Sequence, residues 1–202
     1  MARKESREII EGEETLLKSM FPRGKELTIK EIMKHTPYSS YERNNTYLKS
    51  LAQKQVLEEK KIGKTLVYSI IPLLWASKKA FYAYALERAM EFSDKHKTVS
   101  KALQELPADE TDAVIVFGSY AKGIERKESD IDVLIVSDEK EKLETTIISL
   151  KRRYGLRLHT IIVPRSEFAK IKKENKELWN SLITYGIFFK GFELLYHHAY
   201  EN

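Results

Sequence analysis

The chain has 202 residues, a hydrophobic content of 42% and a formal net charge of +5. This length allows one large domain or two small ones, and the apolar content is sufficient for packed cores. The absence of cysteine excludes disulfides and thiolate metal sites, which fits a reducing compartment. The longest apolar stretch, residues 70–76, is too short to cross a bilayer, and the N-terminus lacks the apolar segment of a signal peptide. We therefore expect a cytoplasmic globular protein.

The basic excess is concentrated in the N-terminal third, where residues 1–71 contain fourteen Lys or Arg and ten Glu. Apolar residues at helical spacing predict a first helix over residues 6–20. A capping-box pattern at 28–31 predicts a second helix, and a similar pattern predicts a third helix from Ser39 to Gln53. Two β-prone runs around Gly63 then predict a hairpin.

Three helices followed by a hairpin resemble a winged helix-turn-helix domain, as found in bacterial and archaeal transcription regulators. The resemblance rests on the order of the elements and on Tyr47-Leu48-x-x-Leu51 before a Gly-Lys turn. It implies that the third helix reads the major groove of DNA and that the wing contacts phosphates. The residues expected to face DNA are Ser40, Tyr41, Arg43, Asn44, Asn45 and Lys49 on the helix, and Lys60, Lys61 and Lys64 on the wing. The alternatives are that these side chains only solvate a surface, or that the domain docks a protein.

Residues 72–95 predict a long helix that links this domain to the rest of the chain. Large apolar residues occur on more than one side of it over residues 72–92, so it is not a freely exposed connector. We expect it either to pack between the two domains or to form a homodimer.

The most informative stretch is residues 112–136, which read DAVIVFGSYAKGIERKESDIDVLIV. Two runs rich in β-branched residues, Ala113–Phe117 and Ile131–Val136, predict two buried strands joined by a short helix and a loop. Gly118 lets the backbone turn sharply at the end of the first strand, and Ser119 adds a hydroxyl and an amide. The N–H groups of the short helix that follows would point at an anion, which predicts a phosphate-binding turn.

Two acidic residues lie at the start of the second predicted strand. Asp130 and Asp132 alternate with apolar residues, so both carboxylates are expected on one face of the strand. Carboxylates at this spacing suit one or two Mg²⁺ ions that also bind the phosphates of a substrate.

Gly-Ser, ten residues and Asp-x-Asp before an apolar run together resemble the signature of the nucleotidyltransferase superfamily typified by DNA polymerase beta, in particular its minimal nucleotidyltransferases. The resemblance implies transfer of a nucleoside monophosphate from an NTP to a hydroxyl with release of pyrophosphate. It implies that Gly118 and Ser119 hold the triphosphate and that Asp130 and Asp132 hold Mg²⁺. Some minimal forms adenylylate a partner toxin protein, which implies ATP as the donor and a protein as an acceptor. Three further cations are expected to add charge to the phosphates: Lys122, Arg126 and Lys127.

The chain departs from the family pattern on the third predicted strand. Active members commonly place a third carboxylate there, whereas this strand carries Arg157 and His159 and no acid between residues 154 and 166. His159 is a candidate general base, and Arg157 a candidate phosphate ligand. Both residues could also be ordinary members of a strand face. The missing acid leaves a second function open, in which a DNA-binding regulator uses a catalytically degenerate domain to sense a nucleotide.

The expected fold class is α+β. We predict a winged helix-turn-helix domain over residues 1–71, a linker helix over 72–95, and an α/β nucleotidyltransferase domain with a small mixed sheet over 96–202.

Overall fold

The computed structural model describes residues 8–201 and divides into two compact units. The first contains the residues up to Tyr84, and the second is Ala85–Tyr200. The boundary between the units falls inside the helix that the sequence predicts as a linker. No helix within residues 8–201 has the length and apolar character needed to cross a membrane.

The first unit combines short helices with a small antiparallel sheet. Its elements are α1 Glu11–Ser19, β1 Leu27–Thr28, α2 Ile29–Ile32, α3 Tyr41–Gln53, β2 Leu57–Ile62 and β3 Thr65–Ile70. The predicted hairpin is present as β2 and β3, which pair from Leu57 with Ile70 to Ile62 with Thr65. Strand β1 pairs antiparallel with β3 on its other side. With only two residues, β1 is too short to show an alternating pattern in the sequence.

Side-chain caps fix where α2 and α3 begin. The predicted capping box of α2 is present, because the Glu31 amide donates to Thr28 Oγ1 and the Thr28 amide donates to the Glu31 carboxylate. Helix α3 begins at Tyr41 rather than at Ser39, because the Oγ of Ser40 accepts a hydrogen bond of 3.2 Å from the Arg43 amide.

A buried carboxylate joins α1 to α3 inside the first unit. Glu13 is 1% exposed, and its Oε2 accepts a hydrogen bond of 2.7 Å from Lys54 Nζ at the end of α3. Burial raises the pKa of Glu13, but hydrogen bonds from Lys54, Ser50 and the Ile10 amide outweigh it, so the pKa lies below its ordinary value. Glu13 therefore stays ionised although it is surrounded by protein.

The second unit contains most of the remaining elements. The long helix α4, Trp75–Lys95, begins in the first unit and ends in the second. It is followed by α5 Lys97–Gln104, β4 Ala113–Phe117, α6 Gly118–Lys122, β5 Ile131–Val136, α7 Lys140–Tyr154, β6 Leu158–Val163, α8 Arg165–Glu174, α9 Lys176–Tyr185, β7 Ile187–Lys190 and α10 Phe192–Tyr196. Strands β4 and β5 have the bounds that the sequence predicts.

The strands of the second unit form a mixed sheet in the order β6-β5-β4-β7. Strand β4 pairs antiparallel with β5 and β7, whereas β5 pairs parallel with β6. One face of the sheet packs through Val116, Val133 and Ile135 against apolar residues of α7, including Leu143 and Ile147. The small mixed sheet and the α+β class are as predicted. Polar side chains, in contrast to this apolar packing, occur where β5 and β6 begin.

Candidate active site

The turn after β4 lies against the carboxylate of Asp132. Gly118 has φ of +69°, a conformation that favours glycine, and a Cβ added to it would overlap Asp132 Oδ2. A side chain at residue 118 would therefore either push the turn away from β5 or displace the carboxylate. This contact brings the predicted phosphate-binding turn and one predicted metal ligand together.

Helix α6, which follows the turn, is held by a residue that the sequence did not single out. The guanidinium of Arg88 on α4 donates to the carbonyl oxygens of Ala121, Thr184 and Tyr185, the last at 2.8 Å. It therefore joins the end of α6 to the end of α9. Sequence reasoning missed Arg88 because a charged residue on an amphipathic helix gives no local signal of such a role.

His96 makes a second set of contacts with α6 and its neighbours. The His96 ring is 5.2 Å from the Tyr120 ring and 4.6 Å from the Phe92 ring, measured between centroids. Its Nε2 is 3.5 Å from an oxygen of Glu125, in the loop after α6. These contacts position Tyr120, which follows Ser119, and the loop after α6, and no local sequence pattern indicated them.

Asp130 and Asp132 are each opposed by a cationic or ionisable side chain from the β6 side. The parallel register places Asp132 opposite His159, and His159 Nδ1 lies 2.9 Å from Asp132 Oδ1. Asp130 directly precedes β5, and its Oδ1 lies 3.6 Å from Arg157 Nε. The Nη1 of Arg157 also lies 3.0 Å from Glu128. Because residues 157 and 159 alternate along one chain, these contacts put both aspartates on the same side of the sheet.

The contact with Asp132 defines which ring nitrogen of His159 can take up a proton. A carboxylate only accepts hydrogen bonds, so Nδ1 carries the hydrogen that it donates to Asp132. The neutral ring then has a lone pair on Nε2, which is the acceptor form that a general base needs. His159 is 65% exposed, so a substrate can reach it.

The other predicted phosphate ligands follow the turn along the chain, at the end of α6 and in the loop before β5. The Nζ of Lys122 is 5.2 Å from the centre of the Tyr185 ring. Arg126 and Lys127 are exposed in the loop before β5, where the Ser129 hydroxyl accepts a 2.8 Å bond from the Arg126 amide. Within residues 8–201, no ion pair holds the side chain of Arg126 or Lys127. Their reach to a phosphate stays a prediction.

The donor set fits a divalent cation that is bound together with a nucleotide. Within residues 8–201, no three His, Asp or Glu side chains are grouped so that they could hold a metal by themselves. Mg²⁺ commonly takes one or two carboxylates and completes its coordination with water and substrate phosphates. Asp130 and Asp132 beside the Gly118 turn match that pattern, with the missing ligands left to the substrate.

The predicted DNA-facing surface in the first unit needs one correction. Asn44 is 0% exposed, and its side-chain amide donates to the carbonyl oxygens of Tyr38 at 2.9 Å and Ser40 at 2.7 Å. The expectation that Asn44 is exposed for base contacts is therefore wrong. Its side chain instead holds the turn before α3 against the helix.

The remaining residues of that surface are accessible. Asn45 is partly exposed, and the exposed members are Ser40, Tyr41, Arg43, Lys49, Lys60, Lys61 and Lys64. Lys60 faces Glu26 at 3.8 Å, which offsets part of the wing's positive charge. The guanidinium of Arg43 lies 5.5 Å from the centre of the Tyr38 ring.

Comparison with known proteins identifies the class. The family model of the nucleotidyltransferase domain matches residues 96–186, the region that contains the turn, both aspartates and His159. A protein of Methanocaldococcus jannaschii named "Putative protein adenylyltransferase" is 39% identical over 77 residues, which are 37% of this chain and 78% of the relative. The chain therefore belongs to the nucleotidyltransferase family.

Two solved structures are similar more loosely. A toxin-antitoxin complex with AMP-PNP aligns with 52% of this chain and 84% of its own, at 17% identity and a TM-score of 0.36. TrmBL2, an archaeal chromatin protein described with a novel mode of DNA binding, aligns with 88% of this chain and 74% of its own, at 21% identity and a TM-score of 0.30. TM-scores this low do not support a residue-by-residue comparison.

Proposed function

We propose that this chain transfers a nucleoside monophosphate from a Mg²⁺-bound NTP to a hydroxyl group and releases pyrophosphate. The observation that supports this most directly is the contact between the Gly118 turn and Asp132, which only a glycine permits. If the turn binds phosphate and Asp132 binds Mg²⁺, a single triphosphate would meet both.

Each side chain of the site has a proposed role. Gly118 and Ser119 bind the triphosphate, and Lys122, Arg126 and Lys127 add positive charge around it. Asp130 and Asp132 would hold Mg²⁺, which when bound neutralises phosphate charge during transfer. Arg88 and His96 position α6 and the loop after it through the contacts described above.

His159 is the proposed general base. The acceptor hydroxyl forms a bond from its oxygen to the α-phosphorus, the bond between the α-phosphorus and the bridging oxygen breaks, and pyrophosphate leaves. The hydroxyl proton passes to His159 Nε2, while Asp132 holds Nδ1 and stabilises the positive charge that the ring gains. An imidazole that is oriented by a carboxylate thus takes the place of the family's third acid.

ATP is the proposed donor and a protein the proposed acceptor. The support is the relative from Methanocaldococcus jannaschii, whose name describes transfer of an adenylyl group to protein. The alternative, a degenerate domain that only senses a nucleotide, predicts binding without any release of pyrophosphate.

The test compares carboxylate variants at the site and away from it. Asp130→Asn with Asp132→Asn should abolish Mg²⁺-dependent ATP binding in calorimetry, because the two carboxylates supply the protein's metal ligands. Asp109→Asn removes an exposed carboxylate elsewhere in the unit and should leave binding unchanged. Unchanged Mg-ATP affinity in the double variant would overturn the proposed site.

A further variant separates the enzyme from the sensor. His159→Ala should retain ATP binding and slow the labelling of cell extract by α-labelled ATP by about 10²-fold, because the general base is lost. If the unaltered protein binds Mg-ATP but labels no protein, nucleic acid or small molecule in the extract and releases no pyrophosphate, the sensor is favoured.

DNA binding by the first unit is a second proposed function, supported by the exposure of Arg43, Lys49 and the wing lysines. On this proposal, residues 1–71 form the winged helix-turn-helix domain, 72–95 the linker and 96–202 the transferase domain.

A homodimer through residues 72–92 is also proposed, because Trp75, Leu86 and Met90 on α4 are 84%, 54% and 60% exposed. Sedimentation of the full chain at micromolar concentration tests the dimer.

A further inference from the structure

Strand β6 is the outer strand at one end of the mixed sheet. The Ile131 amide donates to the Arg157 carbonyl at 2.8 Å, and the Ser137 amide donates to the Val163 carbonyl at 2.9 Å. Backbone groups alternate in direction along a strand, so the odd-numbered residues of β6 face β5. The N–H and C=O groups of Leu158, Thr160 and Ile162 therefore point away from the sheet.

These outward groups have no hydrogen-bond partner within residues 8–201. Thr160 and Ile162 are partly exposed, whereas Leu158 is 5% exposed. An unpaired strand edge is a template for another extended chain. Native edges are commonly blunted by charge, proline or a covering element, and from Leu158 to Val163 the only ionisable side chain is that of His159.

The open edge runs directly past the proposed general base. A strand added to β6 would lie about 4.8 Å from it, and its residue opposite His159 could project on the same face as His159 and Asp132. Asp132 on β5, His159 on β6 and a side chain on the added strand would then follow one another across the sheet. Since Asp132 holds Nδ1, the ring can turn only Nε2 toward that side chain.

We propose that β6 docks the protein acceptor as an added strand and presents a Ser, Thr or Tyr hydroxyl of that strand to His159 Nε2. This inference rests on the proposed transfer to protein and adds the surface and the conformation by which the acceptor is recognised. An extended polypeptide is the occupant because its main chain repeats donors and acceptors at the spacing that Leu158, Thr160 and Ile162 offer. A nucleic acid or a small metabolite has no such repeat.

The test removes one backbone N–H donor that points outward from β6 and keeps the hydrogen bonds between β6 and β5. Thr160→Pro deletes an N–H that points away from β5, and edge strands tolerate proline at such positions. Its ring also blocks the approach of another strand. Thr160→Val is the matched control, because it changes the side chain and keeps the backbone N–H. Both full-length variants are incubated with α-labelled ATP, Mg²⁺ and cell extract, and Mg-ATP affinity is measured separately by calorimetry.

We expect Thr160→Pro to bind Mg-ATP within about twofold of the unaltered protein and to label the protein acceptor at least about tenfold less, whereas Thr160→Val labels it normally. Equal labelling by Thr160→Pro and Thr160→Val would overturn edge docking and leave the transfer reaction standing. Label found only on nucleic acid or a small molecule would overturn the protein acceptor, and edge docking with it.

A second measurement decides the matter if Thr160→Pro does not fold. The acceptor labelled by the unaltered protein is identified by mass spectrometry, produced pure and added in excess. Amide exchange at Leu158, Thr160 and Ile162 should then slow, while the β5-facing amides of His159 and Ile161 change little. Unchanged exchange at the three outward amides with a bound acceptor would exclude docking at this edge.

Discussion

Two regions were predicted as functional surfaces: the strand junction in the second unit, where the Gly118 turn lies against Asp132, and helix α3 in the first unit. They differ in how well the sequence predicts which side chains lie on the surface. At the junction, a side chain has only two choices of face, and pairing with the next strand fixes its neighbour. On α3, each residue turns the direction of the side chain by about 100°, so residues at the border between the polar and the apolar face are harder to assign. Asn44 lies one turn before the buried Leu48 and is buried with it, although its polar side chain suggested exposure.

The largest expected effect tests the strand junction. Gly118→Ala should lower nucleotidyl transfer by about 10²-fold or more, because the added Cβ overlaps Asp132 Oδ2 and displaces the turn from the proposed metal ligand. Transfer is measured at saturating Mg-ATP with equal amounts of folded protein.

Gly123→Ala is the matched control, since Gly123 ends the same short helix with φ of +67° and its Cβ would meet no atom within 4 Å. It should cost about 1 kcal/mol of stability through backbone strain and leave transfer nearly intact. Equal loss of transfer in both variants would mean that strain, rather than contact with Asp132, explains the need for glycine at 118.

The next effect tests how the first unit holds α1 and α3 together. Glu13→Gln should lower the free energy of unfolding by about 2 kcal/mol at pH 7, because the buried charge-assisted hydrogen bonds from Lys54 are weakened. The pKa of Glu13 is lowered in the folded state, so this stabilisation is present above the unfolded-state pKa and is lost as the pH falls through the folded-state pKa. The difference between variant and parent in urea unfolding should therefore shrink in acid.

Glu14→Gln provides the comparison for that measurement. Glu14 pairs with Lys79 at 2.5 Å, but their side chains are 40% and 68% exposed. An exposed pair of this kind contributes little, so we expect a change below about 0.5 kcal/mol. If both variants lose the same stability, burial does not distinguish the two carboxylates.

The smallest expected effect separates two neighbours on α3. Arg43→Ala should relax sequence preference on DNA by about tenfold, because an exposed guanidinium on a recognition helix can read base edges. Asn44→Ala should leave sequence preference unchanged and lower stability instead, because its amide bonds to Tyr38 and Ser40 are lost. Binding is measured with the full chain on mixed genomic duplexes at low and moderate salt. The absence of any shift at tens of micromolar protein would contradict DNA binding altogether.

Much of the fold follows from short-range patterns. The bounds of β4 and β5 agree with the prediction. The β-branched run of β4 stops before Gly118, and the run of β5 starts directly after Asp130. The Thr28 capping box and the hairpin at Gly63 are likewise local, since each needs only a few neighbouring residues. The two-residue strand β1 was missed because a ladder that short exists only through its partner β3.

The candidate site was predictable in its residue types and only partly in its contacts. The spacing of Gly118, Ser119, Asp130 and Asp132 carries the family signature, and the third strand's lack of an acid is visible in the sequence. The pairing of Asp132 with His159 depends on the parallel register of β5 and β6, which no local pattern determines. The same holds for Arg88, whose three carbonyl partners come from α6 and the end of α9.

The place of β6 at the end of the sheet also has a consequence for folding. Gly118 directly follows β4, which pairs antiparallel with the strand of Asp132, whereas His159 reaches Asp132 only after the chain has crossed over through α7, 27 residues later. Closing that larger loop costs more conformational entropy, and an outer strand opens at a lower free energy than the strands inside a sheet. Partial opening would therefore release His159 first and leave the Gly118 turn against Asp132. A molecule in that partly opened state would still have the proposed nucleotide-binding turn and would lack the proposed general base.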